Sequence, residues 1–69
     1  GIWLYSDPYI GKGSHDNSVQ NNICSGAYYG ITIFPGCNNN KVSNNDLRGN
    51  EAGLNDMGTG TITSSNNIT

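Results

Sequence analysis

Apolar and polar residues alternate only over short runs: Ile2 and Leu4, Ile31 and Ile33, and Ile62 between Thr61 and Thr63. No apolar residues recur at i, i+3, i+4 and i+7 over a helical length. The pattern predicts brief strands separated by stretches rich in Asn and Gly. Those two residues are poor in the interior of a helix or a strand, but they suit sharp turns and left-handed backbone.

The polar stretches repeat. "NSVQNNICSG" (17–26) and "NKVSNNDLRG" (40–49) agree at five of ten positions: Asn17/Asn40, Val19/Val42, Asn21/Asn44, Asn22/Asn45 and Gly26/Gly49. At the same interval of 23 residues, Cys24 aligns with Leu47 and Gly30-Ile31 with Gly53-Leu54. Composition alone supplies some of the Asn and Gly matches, but not the coincident apolar positions. Weaker echoes flank this pair. Gly1-Ile2-Trp3-Leu4 parallels Gly30-Ile31-Thr32-Ile33, and Thr61-Ile62-Thr63-Ser64-Ser65 parallels Lys41-Val42-Ser43-Asn44-Asn45 at an interval of 20. The connections from Ile2 to Val19, Ile31 to Val42 and Leu54 to Ile62 shorten along the chain. The loop varies and the frame is kept.

A period of about 20–23 residues with short strands predicts an all-β solenoid of roughly three coils. Equivalent residues then stack at about the strand spacing of 4.8 Å. Inward Val, Ile and Leu form the core. Asn21 over Asn44 and Asn22 over Asn45 are expected as amide ladders, with Ser64 and Ser65 continuing them in the third coil. On that alignment Ile68 needs one extra residue in its coil before it can face inward.

The V-x-N-N-x-φ-x-G-x-x-x-G-φ pattern, φ being apolar, resembles the right-handed parallel β-helix repeats of the pectate-lyase-like superfamily. It is most similar to the coils of surface and periplasmic repeat proteins, NosD-like copper-maturation proteins among them. The resemblance implies a right-handed parallel β-helix and an extracellular, cell-surface or periplasmic location. It implies one of two roles. One is a structural scaffold or surface module that contacts glycans. The other is part of a carbohydrate-active enzyme: a polysaccharide lyase, C5-epimerase or glycosidase. Cys24 and Leu47 stand where such repeats usually carry Ile.

Bulk properties narrow the choice. The 69 residues make at most one domain, 33% are hydrophobic, 12% are charged, and the net charge is -2. Three widely spaced Lys and Arg cannot neutralise a phosphate backbone, so nucleic acid is not an expected partner. No apolar run reaches the length of a membrane span. The chain opens on Gly1, and it reads as a single partial β-helix domain, 1–69, cut from a longer solenoid. Its open ends are expected to stack on further coils of the same chain or on a homo-oligomer. Two cysteines are too few for a disulfide scaffold, and whether Cys24 and Cys37 bridge is left open. Asn67-Ile68-Thr69 fits the N-glycosylation pattern.

Candidate chemistry is sparse. Asp7, Lys12, His15 and Asp16 crowd one long connection and are the candidates for acid–base work. Asp7-Pro8-Tyr9 resembles the Asp-Pro-His of alginate epimerases with the His missing, and a plain turn accounts for it as well. At the 23-residue interval no carboxylates stack, since Asp46 meets Ile23, Asp56 meets Ile33 and Glu51 meets Tyr28. Trp3, Tyr5, Tyr28 and Tyr29 are the candidates for stacking on a sugar, with Trp3 and Tyr5 outward on their strand. Met57, His15, Cys24 and Cys37 are too scattered for the copper that NosD-like repeats suggest, so neither metal nor cofactor is expected. Thr59, Thr61 and Thr63 make one row, not an ice-binding array.

Overall fold

The computed structural model describes residues 1–7 and 11–68. Eight strands follow in order: β1 (Ile2–Leu4), β2 (Ser6–Asp7), β3 (Lys12–Gly13), β4 (Ser18–Gln20), β5 (Tyr29–Ile33), β6 (Lys41–Ser43), β7 (Ala52–Asp56) and β8 (Ile62–Ser64). They form two parallel three-stranded sheets, β1-β5-β7 and β4-β6-β8, and one small antiparallel pair, β2-β3. Each large sheet takes one strand from each of three successive coils, roughly 2–27, 29–50 and 52–68. Isolated parallel bridges continue the stacking in two further columns, His15–Asn38–Thr59 and Ile23–Asp46–Asn67.

The expected frame and its variable loop are both present. Ile2 pairs with Ile31 and Ile31 with Leu54, while Val19 pairs with Val42. The first interval is 29 residues and the others are 23. The six additional residues all fall in the long connection of the first coil, between Leu4 and His15, where β2 and β3 form a hairpin.

Three corners in each of the first two coils, and two in the third among the described residues, explain the doubled Asn. Asp16, Asn39 and Gly60 have positive φ, as do Asn21, Asn44 and Ser65, and as do Gly26 and Gly49. These left-handed residues recur every five positions within a coil, at 16, 21 and 26 and again at 39, 44 and 49. Asn and Asp are the side-chain-bearing residues that visit this conformation most readily. The next residue is the ladder position. The backbone N–H of Asn17 and its Nδ2 donate to Asn40 Oδ1 at 3.0 and 3.1 Å, and Asn40 Nδ2 donates to the Ser14 carbonyl at 3.1 Å. Asn22 binds Asn45 in the same way, and Asn45 Nδ2 reaches the Val19 carbonyl at 3.0 Å. In the third corner the Ala27 N–H donates to Asn50 Oδ1. In the pairs Asn21-Asn22, Asn39-Asn40 and Asn44-Asn45, therefore, the first residue turns the chain and the second joins the coils. Asn21 over Asn44 is a column of turns and not the amide ladder expected of it.

The third coil departs from the expected alignment by one residue. Val42 pairs with Thr63 and Lys41 with Ile62, an interval of 21 instead of 20. Asn66, not Ser65, takes the ladder position, accepting from the N–H and Nδ2 of Asn45 at 3.1 and 3.0 Å and donating to the Val42 carbonyl at 2.9 Å. Ser65 becomes the turn residue above Asn44. Ile62 consequently stands outward, 60% exposed. Ile68 comes in against Gly53, where a methyl group would lie 2.7 Å from its Cγ2. The extra residue lies before β8, and Ile68 reaches Gly53 while staying 54% exposed.

The core is thin and central. Its fully buried apolar members are Ile31, Ile33, Cys37, Val42 and Leu47, all in the second coil. Ile2, Leu4, Val19 and Cys24 pack on it from the first coil, and Leu54 from the third. Cys24 and Cys37 are both free thiols, and Cys37 is a small core residue. Gly30 has no room for a side chain: a methyl group would meet the Gly53 carbonyl oxygen at 2.7 Å and the Leu47 side chain at 3.3 Å.

Candidate functional site

The outer surface of the β1-β5-β7 sheet carries the aromatic residues. Ile2 and Leu4 turn toward the core, so Trp3 stands outward, 69% exposed. Tyr5 follows on the same side at 58%. Phe34 of the second coil packs between them, edge-on to both, with ring centroids 5.7 Å from Trp3 and 5.3 Å from Tyr5. The Phe34 N–H donates to the Leu4 carbonyl and the Met57 N–H to the Ile33 carbonyl. Tyr5, Phe34 and the exposed Met57 thus form one column across the three coils. Edge-to-face contact fixes the rings relative to one another while Trp3 and Tyr5 stay largely exposed. Thr32 pairs with Trp3 and Asn55 on this sheet, and its Oγ1 is buried with no hydrogen-bond partner.

The hairpin of the first coil borders this surface. Ser14 binds the Tyr5 carbonyl through both its N–H (3.1 Å) and Oγ (3.0 Å). The Ser6 hydroxyl donates to the Pro35 carbonyl, which ties the hairpin to the second coil. Two adjoining clefts result. One, of about 290 Å³, is lined by Ser6, Asp7, Lys12 and Pro35 with Gly11, Gly13 and Gly36. The other, of about 270 Å³, lies between Lys12, His15 and Asn38. Asp7 faces Lys12 across the hairpin, and Lys12 lines both clefts. His15 Nδ1 lies 2.8 Å from Asp16 Oδ2, with both side chains about two-thirds exposed (67% and 69%). The four candidate residues of this connection therefore fall on one rim, but they do not converge on one point. Pro8, Tyr9 and Ile10 lie outside the described residues, and so does Thr69 of the glycosylation pattern.

A match in sequence accompanies this geometry. Residues 1–69 match the family model described as right handed beta helix region. The chain belongs to the right-handed beta helix family. The match concerns the architecture, and the NosD-like likeness rests on the repeat pattern alone. No curated protein matches the chain, and no solved structure matches it.

Placed in the β-helix, the remaining candidates separate. Tyr28 and Tyr29 form their own edge-on pair at 4.8 Å, where β5 begins, whereas Trp3 and Tyr5 flank Phe34 just beyond its other end. Phe34 was legible but passed over: continuing the alignment of Gly1–Leu4 with Gly30–Ile33 by one residue sets it on Tyr5. Asp46 sits between Ile23 and Asn67, in no carboxylate column. Arg48 grips it bidentately, with Nε and Nη2 each 2.8 Å from a carboxylate oxygen. That side-chain bond, aided by the Arg48 N–H, holds the Asp46 carboxyl below its ordinary range. Asp56 is also structural: its Oδ1 accepts from the Gly58 N–H at 2.9 Å and the Thr61 hydroxyl at 3.0 Å, closing the shortest loop. Among the described residues no three His, Cys, Asp or Glu converge as metal ligands.

Proposed function

We propose that this β-helix is a non-catalytic, extracytoplasmic scaffold whose aromatic face contacts polysaccharide. The observation that carries the reading is the Trp3–Phe34–Tyr5 cluster. Two exposed aromatic side chains are held by a third ring on a sheet, beside clefts that offer Ser6, Asp7, Lys12, His15 and Asn38 as polar partners. Sugars present just such a mixture, with apolar C–H faces that stack on rings and hydroxyls that seek polar partners. The rest of the molecule is devoted to ladders and turns that fix the frame. In this reading the open ends of the solenoid take further coils.

Catalysis is the second reading, and the His15–Asp16 contact beside Lys12 is what favours it. Strong acid–base catalysis wants a water-excluded site, because electrostatic effects fade in water. The pair lies in solvent, so recognition is the better account of this rim.

Trp3 is the sole tryptophan, so its fluorescence reports directly on the surface. The chain would be titrated with uronate and neutral polysaccharides while absorbance is followed for unsaturated products. Recognition predicts a saturable change in Trp3 emission without product, with affinity about tenfold weaker in Tyr5→Ala. Product formation that disappears in Asp7→Ala or His15→Ala would give the enzyme reading first place. Neither signal would leave the scaffold alone.

A further inference from the structure

We infer that Thr32 is a binding residue: its buried, unpartnered hydroxyl hydrogen-bonds a hydroxyl of the sugar that stacks beside it on Trp3. The inference rests on the reading of the aromatic face as a polysaccharide contact, and it names the polar group that holds the sugar there.

Three residues form a row across the coils on the outer surface of the β1-β5-β7 sheet. Trp3 pairs with Thr32, and Thr32 pairs with Asn55. Successive members stand about 4.8 Å apart, the strand spacing. Phe34 follows Thr32 by two residues, just beyond β5, and its ring meets Trp3 edge-on at 5.7 Å. Trp3, Phe34 and Thr32 therefore make a triangle in which the two rings lean together across the threonine. The result is an outward side chain only 4% exposed, although Trp3 itself is 69% exposed. Thr32 Oγ1 is shut off from water without a hydrogen-bond partner. Asn55 is half-buried, and its amide engages no other side chain or backbone group among the described residues.

A buried hydroxyl left unpaired is destabilising, and native proteins rarely keep one without a use. The strand does not require it. Val has nearly the same shape, suits a strand as well as Thr does and carries no polar side-chain atom. Thr32 is thus a destabilising group retained at the centre of the aromatic face. A sugar supplies what it lacks, because a sugar hydroxyl can both donate and accept, as Thr Oγ1 can. Trp3 meets Phe34 only edge-on, and turning its indole aside opens Thr32 to a ligand. The indole then stacks on the C–H face of the sugar, and Thr32 takes one of its hydroxyls. The Asn55 amide, the next member of the row, takes a second.

The test sets binding against stability in Thr32→Val. The unaltered chain and the variant are titrated calorimetrically with polygalacturonate and with a soluble neutral β-glucan, and each is unfolded in urea without ligand. Two opposite shifts are expected. The urea midpoint should rise, since the orphaned hydroxyl is gone. Affinity for whichever polysaccharide the unaltered chain binds should fall about tenfold. Thr32→Ser keeps the hydroxyl and should bind within about twofold of the unaltered chain. Affinity unchanged in Thr32→Val overturns the inference and leaves the polysaccharide reading standing. An equal loss in Thr32→Val and Thr32→Ser also overturns it, because the effect would then lie in packing and not in the hydroxyl. If Thr32→Val lowers the urea midpoint or unfolds the chain, the hydroxyl serves the fold and the inference falls. Failure of the unaltered chain to bind either polysaccharide overturns both the inference and the reading on which it rests.

Discussion

The second and third coils use the same frame and end up very differently buried. In β6, Val42 and Ser43 are buried, whereas every residue of β8 is exposed. Asn45 is 2% exposed, and Asn66, its counterpart one coil on, is only half-buried. Nothing in the local backbone separates these positions. Among the described residues the second coil has a neighbour on each side and the third has one. In a solenoid, stability is approximately a sum of terms between adjacent repeats, so a central coil collects two such terms and a terminal coil one. A thin stack makes the contrast severe: the body measures 34 × 21 × 14 Å, and three layers account for its shortest extent.

That contrast is testable, most strongly in the core. Leu47→Ala, in the second coil, should cost about 2–5 kcal/mol, enough to unfold a small chain outright. Leu54→Ala, half-buried in the third coil, should cost clearly less. Urea denaturation of the pair measures this, and equal losses would break the central-versus-terminal distinction.

The ladder gives the next effect. Asn45→Ala strands the Val19 carbonyl and the Asn22 N–H and leaves Asn66 Oδ1 with only the backbone N–H of residue 45, for a loss of roughly 2–3 kcal/mol. Asn22→Ala, at the open mouth, leaves water free to replace the lost bonds and should cost about 1 kcal/mol or less. Thermal unfolding of both variants distinguishes a buried rung from an exposed one.

The third coil sharpens the comparison further, because its register is contested. In the observed register three hydrogen bonds hold Asn66, each contributing about 1 kcal/mol, and Ile62 is left outside. A slip of one residue would set Ile62 over Val42, a gain of about 1.5–3 kcal/mol for full burial, partly offset by losing the contact of Ile68 with Gly53. Asn66→Ala removes what holds the balance. It is expected to let β8 slip, seen by NMR as new contacts between the Ile62 and Val42 methyl groups. Unchanged contacts would mean that the loop before β8, and not the ladder, sets the register.

The smallest expected effect is electrostatic. Asp46 has its carboxyl pKa lowered by Arg48, so its contribution to stability is present above the ordinary carboxylate value. That contribution is lost as pH falls through the lower folded value. The pair lies at the surface, so the effect should be slight and screened by salt. Arg48→Ala should flatten this part of the acid unfolding curve at low ionic strength.

Much of the architecture was legible in residue spacing. The 23-residue identity of Val19 with Val42 and of Asn22 with Asn45 states which residues stack, because stacking rewards identical side chains at equal intervals. The long connection and its cluster of Asp7, Lys12, His15 and Asp16 were visible too. Their common rim was not, since it depends on the pairing of β2 with β3 and on the Ser6–Pro35 hydrogen bond to the second coil. Phe34 was missed because the site is assembled across coils, whereas Trp3 and Tyr5 are neighbours in sequence.

The sequence by itself determined the coil: its short strands, its Asn- and Gly-rich corners and the interval at which they stack. These follow from local backbone preference and from a repeat that needs no knowledge of the third dimension. Only the tertiary structure decided which Asn turns and which one binds, and where the last coil sits on the one before. Adjacent Asn residues look alike in sequence and are told apart by φ and by the carbonyl each can reach. The register of β8 turned on three hydrogen bonds to Asn66 set against the burial of one isoleucine, a small difference between opposing terms that no single stretch of sequence contains.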